Sequence, residues 1–215
     1  MKIETRDPSL KYPRAIKAEK VRLVLDWLLE FRFSSIGLLA RRIGSTPINS
    51  NRFFNQLIDD QLIQVIKNAH TNYERYVMLT YIGASYLEAH GRSIDRAIIK
   101  ITQLERYSKI LHDIAVQYAV LNRLEKYDEV IWDNNIELPD QLEKPDALLH
   151  SPRGYWAALE YERWRKDNRR IYMAFMKHVQ AFEAGHYKGV FFLFEQEIDL
   201  LHYKKLFDAK EWRAY

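Results

Sequence analysis

Apolar residues recur at helical spacing from Lys17 to about Phe31, where Val21, Leu25, Leu28 and Leu29 share one face with Val24 beside them. Ser34 or Ser35 offers an N-cap for a second helix over Ile36–Ile43, which Gly44 ends. Thr46-Pro47 opens a third helix, with Thr as cap and Pro at the first position. It reaches about Asp60, with Phe53, Phe54, Leu57 and Ile58 as its apolar stripe. The period then changes from helical to extended. Leu62–Ile66 reads as a strand, Lys67–Asn72 as a polar turn, Arg75–Thr80 as a returning strand, and Tyr81–His90 as a short helix. Ile94, Ala97, Ile98 and Ile101 predict a connecting helix. In the second half, a helix from about Tyr107 to Leu124 precedes strands at Tyr127–Trp132, at Pro145–Leu149 and at Tyr155–Glu162. A long helix follows from Asp167-Asn168 to about Ala184, stopped by Gly185. Lys188–Phe194 is almost wholly apolar, the pattern of a strand at a sheet centre. Ile198–Trp212 predicts a final amphipathic helix.

This order predicts an α/β chain, α+β overall, in two domains: 1–92 and 93–215. Three helices and a hairpin at this size resemble a winged helix-turn-helix, preceded by an N-terminal arm. In such domains the third helix enters the major groove and the hairpin tip reaches an adjacent groove or phosphates. The outward positions of that helix are Asn49, Asn51, Arg52, Asn55 and Gln56, with Lys67, His70, Asn72 and Arg75 on the wing. Asn and Gln pair bidentately with adenine, and Arg with guanine. The competing role for the same face is a protein contact.

Composition narrows the function classes without choosing one. The 215 residues carry a formal net charge of +4 and 47 % hydrophobic residues, enough for packed cores and compatible with a nucleic-acid partner. With no cysteine, disulfides and thiolate metal sites are excluded, and a reducing cytoplasm is the expected compartment. No apolar run of membrane-spanning length and no signal-peptide pattern is present.

The chemistry concentrates at Lys144-Pro-Asp-Ala-Leu-Leu-His150 and Gly154–Lys166. The first stretch, the Ser151-Pro-Arg-Gly154 turn and the second stretch predict a β-hairpin with carboxylates at its open end. Side chains two apart in a strand share a face, so Glu160 and Glu162 point the same way, toward Asp146 if it lies beside them. Converging carboxylates need a cation, and hard oxygen ligands suit Mg²⁺ or Mn²⁺. Pro-Asp, a turn, an apolar strand ending Glu-x-Glu and then a basic helix resemble the PD-(D/E)xK nuclease superfamily. The departure is Glu162, which stands where that pattern has lysine. Lys166 then becomes the candidate for the missing positive charge, because strand alternation turns Arg163 to the other face. His112 and Asp113 are candidate helpers in proton transfer, with a hydrogen-bonded core histidine as the competing role.

More narrowly, the second half resembles the replication-relaxation proteins and the MobC-type relaxases of mobilisable plasmids. The resemblance rests on Leu111–Val116, Val130-Ile-Trp132 with Glu137, Pro145-Asp146-Ala-Leu, Leu159-Glu-Tyr-Glu162, Lys166 and Tyr172. It implies a winged helix joined to a restriction-endonuclease-like core that nicks a plasmid transfer origin with a divalent ion. Asp146, Glu160 and Glu162 are then the expected metal ligands. Those three, Lys166 and His112 form the expected catalytic set, with water ranked above Tyr155, Tyr161 or Tyr172 as nucleophile. The expected partners are double-stranded DNA, accessory mobilisation proteins and further copies of the chain. Two other readings remain: a non-catalytic DNA-binding regulator or replication-accessory protein with a decayed core, and a host restriction or repair nuclease.

Overall fold

The computed structural model describes residues 13–67, 74–95, 102, 104, 107–132 and 135–214. Seven α-helices and two sheets in these residues make a mixed α/β fold. The chain divides into two compact units, one ending at Leu121 and the other beginning at Asn122. The expected N-terminal arm, wing residues His70 and Asn72, the Asp133-Asn134 turn, and Ala97, Ile98 and Ile101 of the expected connecting helix lie outside the described residues, save for Pro13–Ile16.

The first unit runs α1 (Pro13–Phe31), β1 (Phe33–Ser35), α2 (Ile36–Arg42), α3 (Pro47–Asp59), β2 (Ile63–Ile66), β3 (Tyr76–Leu79), α4 (Tyr81–Ala89) and α5 (Ile110–Leu121). Local chemistry sets the helix starts. Ser35 Oγ accepts from Leu38 N, and Thr46 Oγ1 accepts from Asn49 N with Pro47 following. The α1 stripe is buried as expected, with Trp27 and Phe31 added to it. Strand β1 was not expected. It is three residues long with two serines, yet it pairs antiparallel with β3 and makes a three-stranded sheet in the order β1-β3-β2. Gly83 lets α4 close on the sheet, because a Cβ there would meet Leu62 O at 2.0 Å. The division after Leu121, later than the 92/93 junction expected from the sequence, has a physical cause. Buried Gln117 of α5 accepts from Trp27 Nε1 at 2.9 Å and donates to Phe33 O at 2.8 Å, tying α5 to α1 and β1. Leaving such buried groups unpaired costs roughly 1–3 kcal/mol each.

The second unit runs β4 (Glu129–Trp132), β5 (Ala147–Ser151), β6 (Tyr155–Glu162), α6 (Asn168–Glu183), β7 (Val190–Phe194), α7 (Glu197–Ala209) and a 3₁₀ turn, Glu211–Ala214. Its sheet has the order β4-β5-β6-β7, with antiparallel pairing up to β6 and parallel pairing of β6 with β7. A parallel neighbour needs a crossover, which α6 supplies. Ala158 and Leu148 pack with Ala181 and Tyr187, while Phe192 and Phe194 pack against Ile171, Phe175 and Tyr203, so α6 covers the face of even-numbered β6 and β7 residues. The expectation that the strand at 188–194 sits at the sheet centre is overturned: β7 is an edge strand, partly exposed throughout. Its apolar run arises because both of its faces carry aromatic contacts. Phe192 meets Phe175 and Tyr203, and Phe191 meets Tyr127 with the Arg123 guanidinium above it.

Candidate active site

The hairpin β5–β6 brings the acids together through its register. Ala147 pairs with Leu159, so one further step places Asp146 opposite Glu160. Asp146 caps the strand end with its side chain, its Oδ2 accepting from Tyr161 N at 2.7 Å. Glu160 and Glu162 lie opposite Phe192 and Phe194 on the face covered by α6, and both are buried. Arg163 belongs to the other face, 3.9 Å from Glu195 and stacked over Trp164.

Lys166 returns to this cluster. After β6 the chain bends, and Lys166 Nζ donates to Glu162 Oε1 at 2.6 Å. The acid is 6 % exposed and the lysine 37 %. Burial works against the ammonium, but the Glu162 hydrogen bond and the charges of Glu162, Glu160 and Glu143 outweigh it and raise the Lys166 pKa. For Glu160 the balance is reversed. Burial, then the neighbouring Asp146 charge, push its carboxyl well above the usual range, against the pull of Lys166.

Three residues that sequence reasoning passed over complete the cluster. His178 of α6 is buried, with Nε2 3.3 Å from Glu160 Oε1 but outside hydrogen-bond alignment, so neither atom has a hydrogen-bond partner. Its Nδ1 lies 2.7 Å from Tyr187 Oη. Burial lowers the His178 pKa to about 4, and burial beside Glu160 raises that of Tyr187. A neutral imidazole that accepts from the Tyr187 hydroxyl turns its N–H toward Glu160. Glu143, on the loop before β5, is bonded to Lys177 Nζ at 3.0 Å. The one available signal was His178 standing in the buried stripe Ile171, Ala174, Phe175, Ala181 of α6. Glu143 and Tyr187 join only through tertiary contact.

The donor chemistry fits a hard divalent cation. Glu160 Oε1 is buried without a hydrogen-bond partner, and a cation would reverse the penalty on its ionised form. Asp146 and Glu160 are the two carboxylates that would be offered to such an ion, and Mg²⁺ needs only one or two from the protein. The third expected ligand, Glu162, is engaged by Lys166, and among the described residues no three His, Asp or Glu side chains form a complete cage. A cleft of about 540 Å³ opens along the first turns of α6, and Lys166, Arg169, Arg170 and Lys177 line it against Glu143 and Asp167; Asp146, Glu160 and Glu162 do not line it.

The remaining expected residues are placed as follows. His112 lies in the first unit, its Nδ1 3.2 Å from Asp113 Oδ1, while buried Asp113 also accepts from Tyr107 Oη at 2.7 Å. Tyr172 is buried and donates to Glu211, and Tyr161 lies near Arg163 and Glu195 on the opposite face of β6. Tyr155 pairs with Ser151 at the far end of the hairpin, away from the cluster. On α3, Asn49, Asn51, Arg52, Asn55 and Gln56 are all exposed, as is Lys67 after β2. Arg75 bridges onto α3, donating to Asn55 Oδ1 at 2.9 Å and Asn51 Oδ1 at 2.5 Å. Gln56 Nε2 donates to Asp60.

No protein-family model matches the chain, and no curated protein matches it. No helix among the described residues is long and apolar enough to cross a membrane.

Proposed function

We propose that the chain is a divalent-metal-dependent DNA nicking enzyme that acts in the cytoplasm on a plasmid transfer origin, a relaxase of the MobC type. In this reading the first unit is a winged helix that holds duplex DNA, and the second is a PD-(D/E)xK-like core that cuts it. The observation that carries it is Lys166, which lines a cation-rich cleft and folds back onto Glu162 next to buried Glu160, with Asp146 opposite Glu160 across the hairpin. Asp146 and Glu160 hold the ion, and His178 keeps an N–H toward the buried oxygen of Glu160. The bound ion supplies Lewis acidity and a water of lowered pKa. Glu162 acts as the holder of Lys166, and its hydrogen bond aims the ammonium at the site. Lys166, kept charged by its neighbours, stabilises the negative charge that develops on the scissile phosphate. Arg169, Arg170 and Lys177 take flanking phosphates.

The test is conversion of supercoiled plasmid carrying the transfer region to relaxed circles, with Mg²⁺ or Mn²⁺ and with chelator. Nicking that needs the ion and disappears in Asp146→Ala and Glu160→Ala supports the reading. A wild-type rate in either variant removes the site. A second reading, a DNA-binding regulator with a decayed core, draws on the neutralisation of Lys166 by Glu162. Sequence-specific binding without any metal-dependent nicking would select it.

A further inference from the structure

The Arg75 fork fixes which hydrogen-bonding groups α3 presents. An arginine side chain has donors and no acceptor. Both amides bonded to it must therefore turn their oxygens inward. Asn51 and Asn55 are four residues apart on one helix face, and Arg75 spans them with Nη2 and Nη1. Both asparagines are exposed to solvent, and the amide nitrogens are the groups the fork leaves unused. An asparagine reads adenine by using both amide atoms, donating to N7 and accepting from N6. Each oxygen keeps a second lone pair, but its bond to the charged Arg75 fork competes with that mode. The C-terminal end of α3 is set differently: Gln56 is drawn back to Asp60, and Asp59 and Asp60 make that end acidic.

We infer that Arg75 is a specificity-determining residue that biases Asn51 and Asn55 toward acting as paired donors, so that α3 favours guanine over adenine at the two positions beneath them. Guanine offers two adjacent acceptors, N7 and O6, and no donor on its major-groove edge. The inference rests on the proposed reading of α3 as the helix that enters the major groove. It departs from the adenine pairing expected of these asparagines from sequence. Arg75 shapes the readout through the two amides and has no need to touch a base itself.

The experiment is selection of bound duplexes from a random-sequence library by the full chain, in parallel with Arg75→Ala, Asn51→Ala and Asn55→Ala. Positions whose preference relaxes in the two asparagine variants are the positions beneath them. The wild type should enrich guanine there, and 7-deazaguanine at either position should weaken binding about tenfold or more. In Arg75→Ala the amides are released, adenine becomes acceptable, and the guanine-to-adenine preference should fall at least tenfold while the rest of the selected site persists. Enrichment of adenine by the wild type overturns the inference. So does an Arg75→Ala variant that binds all sequences more weakly by one factor with its preference unchanged, because Arg75 is then a phosphate contact. If no sequence is enriched although duplex DNA binds, the reading of α3 as a base-contacting helix falls with the inference. If no duplex binds at all, the DNA-binding function itself is lost.

Discussion

Lys166 with Glu162 and Arg75 with its two asparagines are both cationic side chains folded back onto oxygen acceptors, in opposite settings. Glu162 is buried on a sheet face under α6, beside a second buried acid. Asn51, Asn55 and Arg75 are open to solvent. Removing one partner of a fully buried pair costs roughly 3–5 kcal/mol, because the other charge is left stranded, and the 37 % exposure of Lys166 puts its pair below that. Exposed pairs contribute about 0–1 kcal/mol. The buried cluster is therefore mutually dependent, since the charges around Glu160 and Lys166 act on the protonation of both. The exposed fork adds little to stability, and its effect lies in which atoms it leaves facing outward.

The largest expected effects test the buried side. Asp146→Ala or Glu160→Ala should abolish nicking while DNA binding, followed by electrophoretic mobility shift, stays nearly intact. Lys166→Ala should slow nicking by about 10²–10³, the usual loss for one electrostatic stabiliser. Calorimetric Mn²⁺ affinity should barely change in that variant, and Lys166→Arg should recover only part of the rate. A dead Arg163→Ala beside a normal Lys166→Ala would break the comparison, because Arg163 lies on the other face near Glu195.

Next comes pH. His178 titrates at about 4 in the fold against 6.5 unfolded. Between those values the unfolded chain binds more protons, so this group's contribution to stability rises with pH. Acidifying from pH 6.5 to 4 should withdraw roughly 3 kcal/mol. Glu160 acts with the opposite sign. Its folded pKa is raised, so its contribution is full below the ordinary carboxylate value of 4.5 and is lost as pH climbs through the raised value. Urea unfolding across pH 4–8 without divalent ions should separate them. His178→Gln should flatten the acid-side rise, and Glu160→Gln should remove the alkaline-side fall. Two unchanged profiles would mean that the two groups are not coupled to folding.

The cluster was only half legible in the sequence, for physical reasons. Asp146, Glu160 and Glu162 follow from strand alternation and a short turn, and Lys166 from its place just past the strand end, but its bond to Glu162 is made only in the fold. Helix starts at Ser35, Thr46 and Asp167 were readable because a cap is a contact between neighbours. His178, Tyr187 and Glu143 were not readable, because each enters through a contact made only after α6 closes over the sheet. Three-residue β1 gives no period to detect, and an apolar run such as β7 does not say on how many sides it is paired. The placement of α5 was hidden for the same reason: Gln117 looks like any polar helix residue until Trp27 is beside it.

Smaller effects test the exposed side. Arg52→Ala should cost about 1–3 kcal/mol of specific binding if it reads a base edge. Lys67→Ala should weaken binding to all sequences alike and reduce the salt slope by about one. The smallest expected change is the thermal stability of Arg75→Ala, within about 0.5 kcal/mol of wild type. A much larger loss would place the fork with the buried pair and erase the contrast.

The parallel pairing of β6 with β7 also sets an order of events during folding. Strands β4, β5 and β6 follow one another as an antiparallel meander, and the β5–β6 turn is the shortest connection in the sheet. Strand β7 has no place until the sixteen residues of α6 have crossed the sheet. Late contacts of this kind add loop-closure entropy to the barrier. An intermediate with the meander formed and β7 loose would hold Asp146 opposite Glu160 while Val190–Phe194, an apolar five-residue segment, stayed unpaired. Refolding at high protein concentration should then lose yield to aggregation through that segment, and a lysine at Phe191 should restore it.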